Sequence, residues 1–155
     1  MKGFAIGFSQ DSKNLLKRLR KSNFVNEIFI ASSIGIDYED DFSIKKIKIK
    51  DFLNENWKDI NLLIFVGSIS ASIRIISTFL IAKDKDPGVI VIDNKCQKII
   101  PLIGLHHSDV KNISHQISNL IGGHVIITNN ISNKRVESID SFGFQWGWQR
   151  SGNIK

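Results

Sequence analysis

Apolar runs at residues 4–8, 27–31, 62–66, 88–92 and 124–128 alternate with segments whose apolar positions recur at helical spacing. That alternation predicts strands of a parallel sheet covered by helices. LLIFV at 62–66 and GVIVI at 88–92 are almost continuous in branched aliphatic residues, as expected of strands buried on both faces, since a strand with one wet face would alternate. With 124–128 they are expected to lie side by side and parallel.

Between the first two runs, Leu15, Leu16 and Leu19 form one apolar face, and Lys17, Arg18, Arg20 and Lys21 load the C-terminal half, where a helix dipole favours cations. Residues 44–50, IKKIKIK, alternate Ile47 and Ile49 with lysines and predict a short edge strand with a solvated face. Ile73, Ile76, Phe79 and Leu80 give residues 71–80 a helical period, ended by Asp86-Pro87-Gly88. A brief strand at 98–102 contains Pro101, which confines it to an edge or a strand end. Ser108 or Asp109 can cap a further helix with Val110, Ile113, Ile117, Leu120 and Ile121 on one stripe, closed by Gly122-Gly123.

One body with a continuous core is expected over residues 1–130, and residues 131–155 read as an aromatic-rich extension, a candidate linker to a further domain. The chain is 42% hydrophobic and 23% charged over 155 residues, an ordinary globular balance. Its net charge of +6 favours a polyanionic ligand. The basic runs KRLRK and IKKIKIK lack interleaved aromatics, so nucleic acid is not the expected partner. The single cysteine, Cys96, excludes an internal disulfide and a thiolate cluster, in keeping with a cytoplasmic setting. Residues 60–82 are the most membrane-like stretch, but the polar residues interrupting them predict a strand followed by a buried helix.

Two loops are candidates for chemistry. In GSISASIR, Gly67, Ser68 and Ser70 allow the amides of a helix start to approach an anion, and Arg74 is the sole charge of the stretch, available to a ligand or to a protein carboxylate. The loop matches neither dinucleotide nor P-loop patterns, and an ordinary strand-to-helix turn is the alternative. In LIGLHHSD, His106 and His107 precede a helix, where a neutral imidazole can act as base; loop hydrogen bonding is the plain alternative. No His spacing supports a metal site, and no cofactor is expected. If both loops follow parallel strands, Gly67 to Ser70 and His106 to Asp109 open onto one crevice with Arg74 beside it.

These residues resemble the N-terminal domain of cobalamin biosynthesis protein G, the cobalt-precorrin-5A hydrolase. The family pattern runs from a strand into GAxGIxVR, then DPAVVVID, IPLLxGHxGGAN and LGAxxVITT. Here FVGSISASIRII, DPGVIVID, IPLIG and IGGHVIITNN keep that order between residues 62 and 128. Gly67, Arg74 and His106 match, Ser70 replaces the second glycine, and LHHSDVK replaces Gly-His-x-Gly-Gly-Ala-Asn. The resemblance implies an α/β three-layer sandwich with a mostly parallel, doubly wound sheet. It also implies an anionic cobalt-precorrin or precorrin tetrapyrrole as ligand, and a reaction that opens the macrocycle lactone with loss of acetaldehyde. His106 is then the base, with the amides after Gly67 as oxyanion donors and Gly67, Ser68, Ser70, Arg74, His107 and Ser108 as ligand contacts. The family's full enzyme has further domains.

FGFQWGWQR, near the end, resembles the segment following this domain in cyanobacterial fusions to precorrin-3B methyltransferase. The Gly-Pro-Gly loop of that methyltransferase does not occur, so this chain is not expected to methylate; a non-catalytic binding or scaffold module of such a fusion is the alternative function. Phe142, Phe144, Trp146 and Trp148 are expected to pack on the body, on a second copy, or on a missing C-terminal domain.

Overall fold

The computed structural model describes residues 1–33, 44–104 and 109–127. Seven strands form one sheet: β1 (Gly3–Gly7), β2 (Glu27–Ala31), β3 (Lys45–Ile47), β4 (Leu62–Val66), β5 (Gly88–Ile92), β6 (Lys98–Ile103) and β7 (His124–Val125), in the order β3-β2-β1-β4-β5-β6-β7. Among the described residues four α-helices accompany them: α1 (Lys13–Arg20), α2 (Ile49–Asn56), α3 (Ile69–Ile76) and α4 (Val110–Ile121).

Side chains of the central strands alternate between two cores, as the pleat requires. Leu62, Ile64 and Val66 of β4 join Ile90 and Ile92 beneath α1 and α4 through Leu15, Leu16, Leu19, Val110, Ile113 and Ile117. Leu63 and Phe65 join Val89 and Val91 beneath Leu53, Trp57 and Ile76 on the other side. The result is the expected three-layer α/β sandwich, and β4 and β5 are parallel neighbours buried along their whole length.

The right half of the sheet departs from expectation. Strand β6 runs antiparallel to β5, with Ile99 opposite Ile92 and Ile103 opposite Val89. Only residues 93–97 separate the two strands, a connection long enough for a hairpin and too short for a parallel crossover. Consequently β7 is not a neighbour of β5: it pairs with Lys98 and Ile99 of β6 at the sheet edge, and His124 is exposed. Thr128 lies outside the described residues. Pro101 sits opposite Ile90 at a register shift, beyond the two residues that β7 covers, so its missing N–H falls where β6 borders no second strand.

Two further boundaries differ. The edge strand β3 ends at Ile47, and Ile49 opens α2 instead of continuing the alternation. Helix α3 is not buried throughout: Ser72 and Ile76 face the core, whereas Ile69, Ile73 and Arg74 are exposed.

Candidate functional site

The C-terminal ends of β1 and β4 meet where the sheet's winding reverses. From β1 the chain turns into α1 on one face, and from β4 into α3 on the other. Open α/β sheets hold ligands at such a switch point.

Gly67 closes β4 with its N–H donated to the carbonyl of Ile92 at 2.8 Å, so this amide is committed to the fold. Its φ of 151° is one that side-chain-bearing residues seldom adopt. Ser68 then begins α3. Its carbonyl accepts both the N–H of Ser72, at 3.1 Å, and the Ser72 hydroxyl, at 3.0 Å, while the Ser68 and Ser70 hydroxyls pair at 2.8 Å. Ser70 and Arg74 are four residues apart on one exposed side of α3, and the Arg74 guanidinium makes no ion pair with a described residue. Gly67, Ser68, Ser70 and Arg74 are therefore brought to one end of the molecule, as the sequence predicts.

The β1–α1 turn completes this end and was not singled out in the sequence. Gly7 lets the backbone pass close to Ser12, whose hydroxyl would lie 1.9 Å from any Cβ at that position. Ser12 donates to the carbonyl of Ser9 at 2.6 Å, and the buried Ser9 hydroxyl has no hydrogen-bond partner among the described residues. The available signal was GFSQDS, small hydroxyl residues between a strand and a helix, the same pattern as at Gly67.

Gly104 and Asp109, which bound the second loop, do not join this crevice. Because β6 is antiparallel, its C-terminal end lies beside Val89 at the start of β5, at the opposite end of the sheet from Gly67. Gly104 and Asp109, on either side of the histidine pair, both line a cavity of about 540 Å³ at that opposite end, together with Lys58, Asp84, Lys85 and Gly88. The expectation of one shared crevice is thus corrected, and its cause is the hairpin between β5 and β6. His106, His107 and Ser108 lie outside the described residues.

Asp109 occupies the N-cap position of α4, but its carboxylate accepts from the Asn112 side chain at 2.6 Å and not from the helix backbone. Of the cavity's acids, Asp86 is engaged structurally. Its carboxylate accepts the Ile81 N–H at 2.9 Å and the Trp57 indole N–H at 3.3 Å. Lys58 and Lys85 supply the side-chain cations of this rim. Among the described residues no group of three His, Cys, Asp or Glu converges, and no helix is long and apolar enough to cross a membrane.

Comparison with known proteins decides the family. A family profile described as cobalamin synthesis G N-terminal matches residues 51–131, just over half of the chain. The chain belongs to the cobalamin synthesis G N-terminal family. A curated cobalt-precorrin-5A hydrolase of Priestia megaterium is 29% identical over 94 residues, covering 59% of this chain and 25% of that protein. The hydrolase of Salmonella typhimurium is 26% identical over 83 residues, covering 54% of this chain and 24% of its own length. The chain thus spans about a quarter of the curated relatives it matches. A solved cobalamin biosynthesis protein G homolog from Sulfolobus solfataricus shares the fold, with a TM-score of 0.58 and 22% identity over 81% of this chain and 36% of that one.

The segment matched to the cobalamin synthesis G N-terminal family runs from α2 past β7. It contains the Gly67 turn, Arg74, and the loop between Gly104 and Asp109.

Proposed function

We propose that this domain takes part in opening the lactone of a cobalt-precorrin macrocycle with loss of acetaldehyde. The observation that carries the reading is that the family profile matches the segment holding both loops, while two curated relatives that match more than half of the chain are named cobalt-precorrin-5A hydrolase. The hydrolytic step is assigned to the cavity end, with His106 as base and His107 and Ser108 as substrate contacts. There the water oxygen bonds to the lactone carbonyl carbon and the ring C–O bond breaks. The water proton passes through the imidazole to the departing oxygen. The alcohol so freed then leaves as acetaldehyde: its O–H proton is taken by the imidazole as the C=O forms, the C–C bond to the macrocycle breaks, and the macrocycle carbon keeps the electron pair and accepts a proton. Lys58 and Lys85 are suited to hold macrocycle carboxylates.

The oxyanion role of the amides after Gly67 is withdrawn, because that turn lies at the other end of the sheet. Gly67, Ser68, Ser70 and Arg74 remain an anion-contact surface in their own right, with Arg74 exposed and unpaired among the described residues. Because it matches about a quarter of the relatives' length, the domain is proposed to act together with further parts such as those relatives carry. Residues 131–155 are proposed as an extension outside the hydrolase-like body, which the family match leaves at residue 131.

A second reading, a non-catalytic binding or scaffold module, draws on one observation: LHHSDVK carries side chains where the family pattern has glycines. The test is titration with cobalt-precorrin-5A, following the corrinoid absorbance for binding and trapping acetaldehyde for turnover. The hydrolytic reading expects both, with turnover lost in His106→Ala while binding persists. Binding with no acetaldehyde, in this chain and after supplementation with the Priestia megaterium hydrolase lacking only its own catalytic competence, selects the scaffold reading. Absence of binding overturns both.

A further inference from the structure

The sheet is covered unevenly. On the face of α1 and α4, helices reach from β2 to β7, and α4 packs on β5, β6 and β7. On the other face α2 and α3 cover the left and centre, and no described helix follows over β6, whose Leu102 and Ile103 are only partly buried.

The edge of this gap is apolar. Around α3 and the turn that prolongs it, Phe79 stacks on Trp57 with ring centroids 5.5 Å apart, which turns that side of the helix toward α2. Ser72 and Ile76, 0% and 1% exposed, point into the sheet. At about 100° per residue, Ile69, Ile73 and Leu80 form the stripe on the side away from Phe79, toward β5 and β6. They are 38%, 46% and 44% exposed, and Ile81 beside them 59%. Four of the large apolar residues in water thus sit within thirteen positions, next to the uncovered strand, which is the pattern of a surface built to be covered.

The described chain ends at Ile127, two residues past the edge strand β7 that borders β6. The 28 residues that follow hold Phe142, Phe144, Trp146 and Trp148, four large rings within seven positions. Phe142 is fifteen positions beyond Ile127, a reach of roughly 50 Å when extended, whereas α3 lies about two strands and one layer away, on the order of 15–20 Å. We propose that the trough between α3 and β6 is the docking surface for the chain's own aromatic segment, residues 142–148. This holds independently of the lactone-opening role, and its test reads no corrinoid.

The experiment uses the whole chain labelled with 5-fluorotryptophan, whose three ¹⁹F resonances are assigned by Trp→Phe variants. Ile73→Glu is expected to move the Trp146 and Trp148 resonances to solvent-exposed positions, leave Trp57 unmoved, and speed chymotryptic cleavage between Phe142 and Trp148 at least tenfold. Free-indole shifts for Trp146 and Trp148 in the unaltered protein overturn the proposal, as do resonances untouched by Ile73→Glu. Shifts that appear only with rising protein concentration also overturn it, in favour of a second copy. If Trp57 moves as well, showing that the variant has not folded, Leu80→Ser is read against the same outcomes.

Discussion

The Phe8 ring lies directly over Gly67: a Cβ on that glycine would fall 2.5 Å from Phe8 Cδ2. The ring is fixed from the other side by stacking on Phe65, with centroids 5.2 Å apart. The turns that leave β1 and β4 at the switch point are therefore locked together by one aromatic residue and one missing side chain.

Gly67→Ala accordingly meets two penalties, an unfavourable φ of 151° and the Phe8 ring. We expect a loss of about 1–3 kcal/mol from the backbone alone, read as a lowered urea midpoint. Combining it with Phe8→Leu should recover part of the remaining loss; strict additivity would show that the ring contributes nothing.

The left and centre of the sheet were legible because β1, β2, β4 and β5 are apolar runs spaced by helix-length segments, the pattern of parallel crossovers. The right half was misread for want of one count. Asp93 to Gln97 cannot hold a crossover, so the strand carrying Pro101 had to turn back, and Gly104 and Asp109 lie at the far end. The site reading inherited that error: Gly67, Ser68, Ser70 and Arg74 lie at one end of the sheet, and Gly104 and Asp109, which flank the histidine pair, lie at the other. The β1 turn was passed over since Ser9 and Ser12 act through contacts with Gly7 and with each other, which no local motif announces.

The β5–β6 hairpin that turns β6 antiparallel to β5 depends on Asp93. Its Oδ1 accepts from the N–H groups of Gln97 at 2.7 Å and Lys98 at 2.6 Å. Asp93→Ala removes the acceptor from two turn amides and should cost about 1–3 kcal/mol. Asp93→Asn keeps one carbonyl oxygen and should cost less. Equal urea midpoints for Asp93→Ala and the unaltered protein would show that the turn holds without this cap.

Asp86 ties the segment after α3 to the helix before β4, accepting from Ile81 N–H and from the indole of the buried Trp57. Loss of the carboxylate in Asp86→Ala strands the indole N–H and should lower stability by about 1–3 kcal/mol. Hydrogen exchange should quicken at Ile81 first, because that amide loses its acceptor outright. Uniform exchange across the domain would instead mean that the substitution acts globally.

Cys96 gives a pH dependence whose direction can be worked out. Its thiol pKa is raised, first by burial, with Asp93 adding to the rise and Arg18 opposing it. The folded state thus keeps the thiol proton at pH values where the unfolded chain has released it. Stability from this group is fully present below the unfolded thiol pKa, falls as pH climbs from there to the folded pKa, and levels off above it. Cys96→Ala should abolish that component of the alkaline slope. Alkylation of the native thiol by iodoacetamide should rise with pH along a curve displaced upward from that of a free cysteine. Arg18→Gln removes the opposing cation and should displace it further upward, whereas Asp93→Asn should bring it down. A curve that moves the same way in both variants would show that altered exposure of Cys96, and not the two charges, governs its reactivity.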